Sequence, residues 1–137
     1  MQDEELNFVG RVAQKAIIEH DGKILLVRNH GRDMWELLGG RLQVGEEPRA
    51  GLARELKEEL GVDVLIGAPV DVGTFFLKQK NQPHFFVVYR ATLIDSNAQL
   101  ITPPDEIEEI RWFGKDEIEQ LAVWAGYKKV LKNFYTQ

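Results

Sequence analysis

Cysteine is absent from the sequence, which excludes disulfide bonds and thiolate metal sites. Long apolar runs are absent as well, and none approaches the roughly 18 consecutive apolar residues that a membrane-spanning helix needs. Residues 1–8 are acidic and lack the basic-then-apolar layout of a secretion signal. We therefore expect a cytoplasmic protein that does not associate with a membrane.

Basic charge is scarce, with 17 Lys and Arg residues against 22 Asp and Glu residues and a formal net charge of -5. A protein that binds duplex nucleic acid usually carries a dense basic patch, and this sequence contains none. An acidic protein that acts on an anionic phosphate must overcome charge repulsion. A bound divalent cation is one solution, because it is often the largest local charge in a site.

The length of 137 residues fits one domain, so residues 1–137 are interpreted as a single domain with its own core. Residues 11–19 and 23–28 are apolar-rich and flank the tripeptide His20-Asp21-Gly22. Because Asp-Gly between two such runs is a strong turn signal, this region predicts a β-hairpin.

A helix is predicted from residue 46 to about residue 60, because Pro48 suits a first turn and Gly61 suits a helix end. The remaining pattern predicts strands at residues 62–66, 70–78, 84–94 and 107–113, followed by helices at residues 115–121 and 123–134. This order of elements predicts an α/β (α+β) fold, with a mixed sheet between helices.

The strongest chemical signal is a 23-residue segment, GRLQVGEEPRAGLARELKEELGV, at residues 40–62. Its fixed positions are Gly40, Glu46, Arg54, Glu55, Glu58, Glu59 and Gly61, with apolar Leu56 and Val62. This pattern resembles the Nudix box at every defining position. The resemblance implies a Nudix-like α/β/α sandwich and places the chain among the Nudix hydrolases.

The spacing also has a physical interpretation. At about 100° per residue, three carboxylates fall on one side of the predicted helix, beside a leucine stripe that suits packing on a sheet. The carboxylates are Glu55, Glu58 and Glu59, and the stripe is Leu52, Leu56 and Leu60. Clustered acidic residues near a helix C-terminus are unfavourable, and a hard divalent cation would reverse that penalty.

For E-x-x-E-E alone, the usual alternative is a solvent-facing acidic face. That alternative leaves the joint occurrence of Gly40, Glu46 and Arg54 unexplained. Two positions depart from the common pattern, because Leu38 stands where relatives often have proline and Gly51 interrupts the helix. A glycine there costs about 1 kcal/mol relative to alanine.

The resemblance implies metal-dependent hydrolysis of the diphosphate (pyrophosphate) bond in a nucleoside diphosphate linked to another group. Nucleoside triphosphates, nucleotide sugars and ADP-ribose are examples of such substrates. The expected cofactor is Mg²⁺ or Mn²⁺, held by the Gly39 carbonyl, Glu55, Glu58 and Glu59. The expected catalytic residues are Glu58, Glu59 and Arg54, with Arg54 pairing with Glu46 or a neighbouring carboxylate.

The general base stays open between Glu58 and an acidic residue of the later segment, for which the candidates are Glu106, Glu108 and Glu109. The alternative for that segment is an ordinary acidic loop. A non-catalytic Nudix-fold nucleotide-binding or regulatory module is the alternative function. Such modules usually lose metal carboxylates, and all three are present here.

The expected partner is a small nucleotide-like diphosphate, bound by Arg28, Arg41 and Phe76. Arg32 also flanks the box loop. The alternatives are that these arginines are solvated surface cations and that the aromatic residues of the neighbouring strands form core. The resemblance also leaves a homodimer open.

Overall fold

A computed structural model describes residues 6–136, so most of the acidic beginning of the chain lies outside the described part. The elements, in chain order, are β1 (Arg11–His20), β2 (Lys23–Asn29), β3 (Leu38–Arg41), α1 (Pro48–Leu60), β4 (Val64–Leu77), β5 (Gln82–Leu93), β6 (Ile107–Phe113), α2 (Lys115–Gln120) and α3 (Ala125–Tyr135). Within this part of the chain, no helix combines the length and the hydrophobicity needed to cross a bilayer.

The strands form one six-stranded mixed sheet in the order β4-β5-β1-β2-β6, and β3 pairs with β1. Strands β1 and β5 are parallel, and the other pairs are antiparallel. The predicted leucine stripe of α1 is fully buried against one face, and α2 and α3 cover the other face through residues such as Ile118 and Leu131. The predicted sandwich of a mixed sheet between helices is therefore confirmed.

The predicted hairpin joins β1 and β2. Asp21 and Gly22 adopt positive φ angles of 51° and 77°, the backbone that a two-residue hairpin turn requires. Asp tolerates this region and glycine adopts it freely, which explains why this dipeptide marks the turn.

The two strands predicted at residues 62–66 and 70–78 are in fact one strand, β4. The pairing with β5 shifts register between Ile66 and Pro69 and again between Pro69 and Asp71. Because β4 is at the edge of the sheet, the missing N–H of Pro69 does not break a ladder on two sides. The chain therefore continues as a single irregular strand.

Candidate active site

Two glycines of β3 let the strand approach β1 and α1 closely. A Cβ atom at Gly39 would lie 2.0 Å from the Gln14 carbonyl oxygen, and one at Gly40 would lie 2.5 Å from the Glu55 carboxyl carbon. The structure places both glycines inside a strand paired with β1. Their role is close packing, with the Glu55 carboxyl group against the Gly40 backbone.

Glu59 reaches the same glycines from α1, where its Oε1 accepts a hydrogen bond from the Gly39 N–H at 2.9 Å. Burial raises the pKa of the Glu59 carboxyl group to about 7. The Lys15 ammonium and the Gly39 bond lower this pKa, while the Glu55 and Glu106 charges raise it. Lys15 also donates to the Gly39 carbonyl oxygen at 3.4 Å. Glu59 therefore lies in a crowded, partly buried charge cluster.

Arg54 connects the carboxylates of the predicted site. Its guanidinium donates to Glu46 at 2.8 Å, to Glu55 at 3.2 Å and to Glu58 at 3.2 Å. The Arg54 hydrogen bond lowers the pKa of Glu46, and the same bond raises the pKa of Arg54. The pairing of Arg54 with Glu46 expected from the sequence is thus present in the structure.

Gly51 explains how Glu46 reaches Arg54. A Cβ atom at position 51 would lie 2.6 Å from the Glu46 carboxyl carbon. The Glu46 side chain therefore packs directly over the helix backbone, and its Oε1 also accepts from the Gln43 N–H at 3.1 Å. The glycine that weakens the helix in isolation makes room for this carboxylate.

No three Asp, Glu or His side chains among residues 6–136 are gathered closely enough to hold a metal ion as they stand. The donor types nevertheless suit a hard divalent cation, because the Glu55 and Glu59 carboxylates flank the Gly39-Gly40 backbone and all are oxygen donors. The Glu58 side chain is 60% exposed and is held by its pair with Arg54. In this structure it therefore faces Arg54 and not the Gly39-Gly40 backbone.

A cavity of about 430 Å³ opens beside Gly40. Its cationic lining side chains are Lys15, Arg32, Arg41 and Lys80, and its aromatic ones are Phe75, Trp124 and Tyr127. Cavities of this size with aromatic walls and a few convergent polar groups are typical of small-molecule sites. The cationic and aromatic walls of this cavity therefore lie next to the carboxylate cluster at Gly40.

The three predicted substrate residues have different surroundings. Arg41 lines the cavity. Arg28 lies 3.6 Å from the Glu109 carboxylate and packs over the Trp35 ring. Phe76 is 53% exposed, and its neighbour Phe75 instead lines the cavity and stacks on His84 with a centroid separation of 4.6 Å. Strand alternation places these adjacent phenylalanines on opposite faces.

The acidic segment at residues 105–109, which runs into the start of β6, is tied to the loop after β2 by His30. His30 Nε2 donates to the Pro104 carbonyl at 2.6 Å, and Nδ1 lies 2.5 Å from Glu108. Its backbone N–H donates to the Glu106 carbonyl at 3.0 Å. Glu109 pairs with Arg28 and Arg111. Of the three predicted acids, Glu106 is the one whose charge acts on Glu59.

Comparisons with known proteins identify relatives of this chain. The sequence model of the NUDIX domain matches residues 11–134. CTP pyrophosphohydrolase of Escherichia coli (strain K12) is 45% identical over 38% of this chain, and the MutT-like protein of Streptomyces ambofaciens is 33% identical over 68% of it. The chain spans 42% and 63% of the lengths of these two relatives.

The solution structure of the E. coli ORF135 protein is also similar, with a TM-score of 0.76 and 27% sequence identity. The superposition covers 92% of this chain and 89% of that protein. The two proteins therefore share the fold over most of their length.

Proposed function

Because the chain belongs to the Nudix family, we propose that it is a metal-dependent hydrolase of the diphosphate bond in a nucleoside diphosphate linked to another group. The observation that carries this proposal is the convergence of the Glu55 and Glu59 carboxylates on the Gly39-Gly40 backbone, beside a cavity lined by cations. Oxygen donors and a cationic cavity are what a divalent cation and an anionic phosphate chain require.

The metal-binding residues in this proposal are the Gly39 carbonyl, Glu55, Glu58 and Glu59. The chemistry that Mg²⁺ or Mn²⁺ supplies in such a site is neutralisation of phosphate charge and acidification of water. Arg54 orients the helix side of the site by holding Glu46, Glu55 and Glu58 together. Ligand orientation by such partners typically affects activity by about 10- to 100-fold.

The remaining residues have separate roles. Lys15 and Arg41 are placed to attract the phosphates, because both line the cavity beside Gly40. The general base, which removes a proton from the attacking water, is Glu58 or Glu106. Glu106 is supported by its electrostatic effect on Glu59, and Glu58 is supported by its exposure at the edge of the site.

A non-catalytic nucleotide-binding module is the second candidate. The observation that favours it is that Arg54 already engages Glu55 and Glu58, which leaves these carboxylates partly neutralised. Such a module would bind nucleotides in the same cavity without cleaving them.

The deciding experiment is a hydrolysis screen with Mg²⁺, with Mn²⁺ and with EDTA. The panel contains nucleoside triphosphates, nucleotide sugars, ADP-ribose and dinucleoside polyphosphates. We expect turnover of at least one substrate that depends on the cation, and a loss of roughly 100-fold or more in Glu59→Gln. Glu119→Gln, an exposed residue of α2, is the matched control and should keep full activity.

Turnover that persists in EDTA, or an unchanged rate in Glu59→Gln, would contradict the proposed mechanism. Nucleotide binding without any hydrolysis across the panel would instead support the binding module.

A further inference from the structure

Glu36 contributes a carboxylate to the wall of a cavity whose other charged side chains are cationic. Its N–H donates to the Val27 carbonyl at 2.7 Å, and its carbonyl accepts from the Val27 N–H at 3.0 Å. Asn29 Nδ2 donates to Glu36 Oε2 at 3.3 Å. The backbone and one carboxylate oxygen are thus fixed, and among the hydrogen bonds of residues 6–136 the other oxygen has no protein donor.

This carboxylate is unsuited to holding phosphates, because it would repel them. Glu36 and Trp124 also line an adjoining cavity of about 270 Å³, which does not include Gly40 or Arg41. Together with Arg32, which also lines both, they stand where the two cavities meet, while Gly40 and Arg41 line only the larger one. A substrate whose phosphates lie beside Gly40 can extend its uncharged end toward Glu36.

Trp124 forms an aromatic wall at the same place. The backbone N–H of Trp124, the residue before α3, donates to the Trp35 carbonyl at 3.3 Å. Trp35 directly precedes Glu36, so this bond holds Trp124 beside Glu36. The indole packs edge to face with Phe75 at 5.0 Å and with Tyr127 at 4.7 Å. A Cβ atom at Gly126 would lie 2.2 Å from the indole, so this position needs glycine. The wall is thus built into the fold.

A planar heterocycle against Trp124 would bring its edge to Glu36. A carboxylate accepts hydrogen bonds and donates none, so it favours an edge with N–H donors. The exocyclic amino group of cytosine, adenine or guanine supplies such donors. Uracil presents a carbonyl oxygen at the equivalent position, which the carboxylate repels, and hypoxanthine lacks the amino group altogether.

We infer that the cavity selects nucleotides whose base carries an exocyclic amino group, and that Glu36 is the residue that recognises this group. The inference rests on the proposed function, because it identifies the base as the uncharged end of the diphosphate substrate. Glu36 is a specificity-determining residue, separate from the carboxylates of α1.

The test compares kcat/KM within two matched pairs, CTP with UTP and GTP with ITP, in the presence of Mg²⁺. The amino-bearing member of at least one pair should be preferred by about 10- to 100-fold, the range that one hydrogen bond to a charged group supports. In Glu36→Gln the side-chain amide offers a donor as well as an acceptor. The ratio of kcat/KM between the amino-bearing nucleotide and its partner should therefore fall toward unity. Glu119→Gln is the matched control and should keep the parent ratio.

Equal kcat/KM values within both pairs, or a parent ratio that survives in Glu36→Gln, would overturn the inference while leaving the proposed hydrolase intact. If the parent protein hydrolyses no nucleotide, the proposed function fails, and base selection is measured by calorimetry with the α,β-methylene analogues of CTP and UTP. The same preference for the cytidine analogue is then expected, and equal affinities would overturn the inference.

Discussion

At the residue scale, Arg54 and Glu46 form the closest contact of the charge cluster, with 2.8 Å between Nε and Oε2. The hydrogen bond from Arg54 stabilises the ionised form of Glu46 and lowers its pKa. A carboxyl group whose pKa is lower in the folded protein than in the unfolded chain stabilises the fold above the unfolded value. That contribution is lost as the pH falls through the folded value.

We therefore predict that Glu46→Gln flattens the pH dependence of stability. In the parent protein the free energy of unfolding should fall as the pH is lowered below about 4.5, the ordinary carboxyl value. In the variant the part of that fall caused by Glu46 should be missing. Urea unfolding at several pH values between 3 and 7, about one unit apart, measures this. Parallel curves for the two proteins would show that Arg54 does not stabilise the charged form.

The sequence predicted the residues of this charge cluster, but it did not predict the packing contacts between them. The i, i+3, i+4 spacing placed the carboxylates and leucines on the right sides of α1 because helix geometry is local. From helix propensity alone, Gly51 was interpreted as a residue that destabilises the helix. Its contact with Glu46 joins a loop to α1, and helix propensity does not report such a contact. Phe75 lines the cavity and the predicted Phe76 does not, and which of two adjacent strand residues faces the cavity is decided by the pairing of β4 with β5, which the local sequence does not report.

At the scale of elements, the segment before β6 is held by one residue of the loop after β2. His30 contacts it twice, through Nε2 and the backbone N–H, and its Nδ1 contacts Glu108 within β6. These contacts fix the backbone of Glu106, whose charge acts on Glu59. The pairing of β2 with β6 ends at Asn29 and Ile107, so His30 extends the contact between these elements into the two adjoining loops.

We predict that His30→Gln loosens this segment and lowers kcat by roughly tenfold, the lower range for loss of an orienting partner, with little change in KM. Amide hydrogen exchange at residues 105–107 should become faster. His20→Gln is the matched control, because His20 is similarly exposed (45% against 47%) and pairs with Asp21 in the hairpin turn. Unchanged exchange in His30→Gln would mean that the segment is held by other contacts.

The observed element boundaries differ from the predicted ones where contacts between residues distant in the chain determine them. The last helix was predicted from residue 123 but begins at Ala125, because Val123 bridges Trp35 and the Trp124 N–H bonds to the Trp35 carbonyl. That partner is about ninety residues away in the chain, so no local pattern reports it. The same contact carries Trp124 to the cavity, which the sequence did not identify.

At the scale of the whole molecule, the net charge of -5 and the buried Glu59 both oppose the fold, and a bound cation would relieve both. We predict that Mg²⁺ raises the melting temperature of the protein. A ligand at 100 times its Kd stabilises the folded state by about 2.7 kcal/mol. Calorimetry at constant ionic strength, with Na⁺ in place of Mg²⁺ as the control, measures the shift. Glu59→Gln should lose most of it, and an equal shift in both proteins would indicate nonspecific screening.

The layered architecture could be predicted because the alternation of strands and amphipathic helices leaves few ways to bury all the apolar faces. The order of strands in the sheet could not, because it depends on pairings such as that of β1 with β5, which are distant in the chain. The cavity results from that strand order, so the sequence identified only part of its lining, such as Arg32 and Arg41.

The irregular course of β4 has a consequence for aggregation. This 14-residue edge strand exposes Leu65, Val72 and Phe76, and an exposed apolar edge is a template for the strand of another chain. Pro69 offers no N–H at its middle, and the two register shifts around it break the row of outward-facing peptide groups. A second molecule therefore finds no continuous ladder to extend. We therefore expect this interruption to hinder cross-β growth through β4 at high protein concentration.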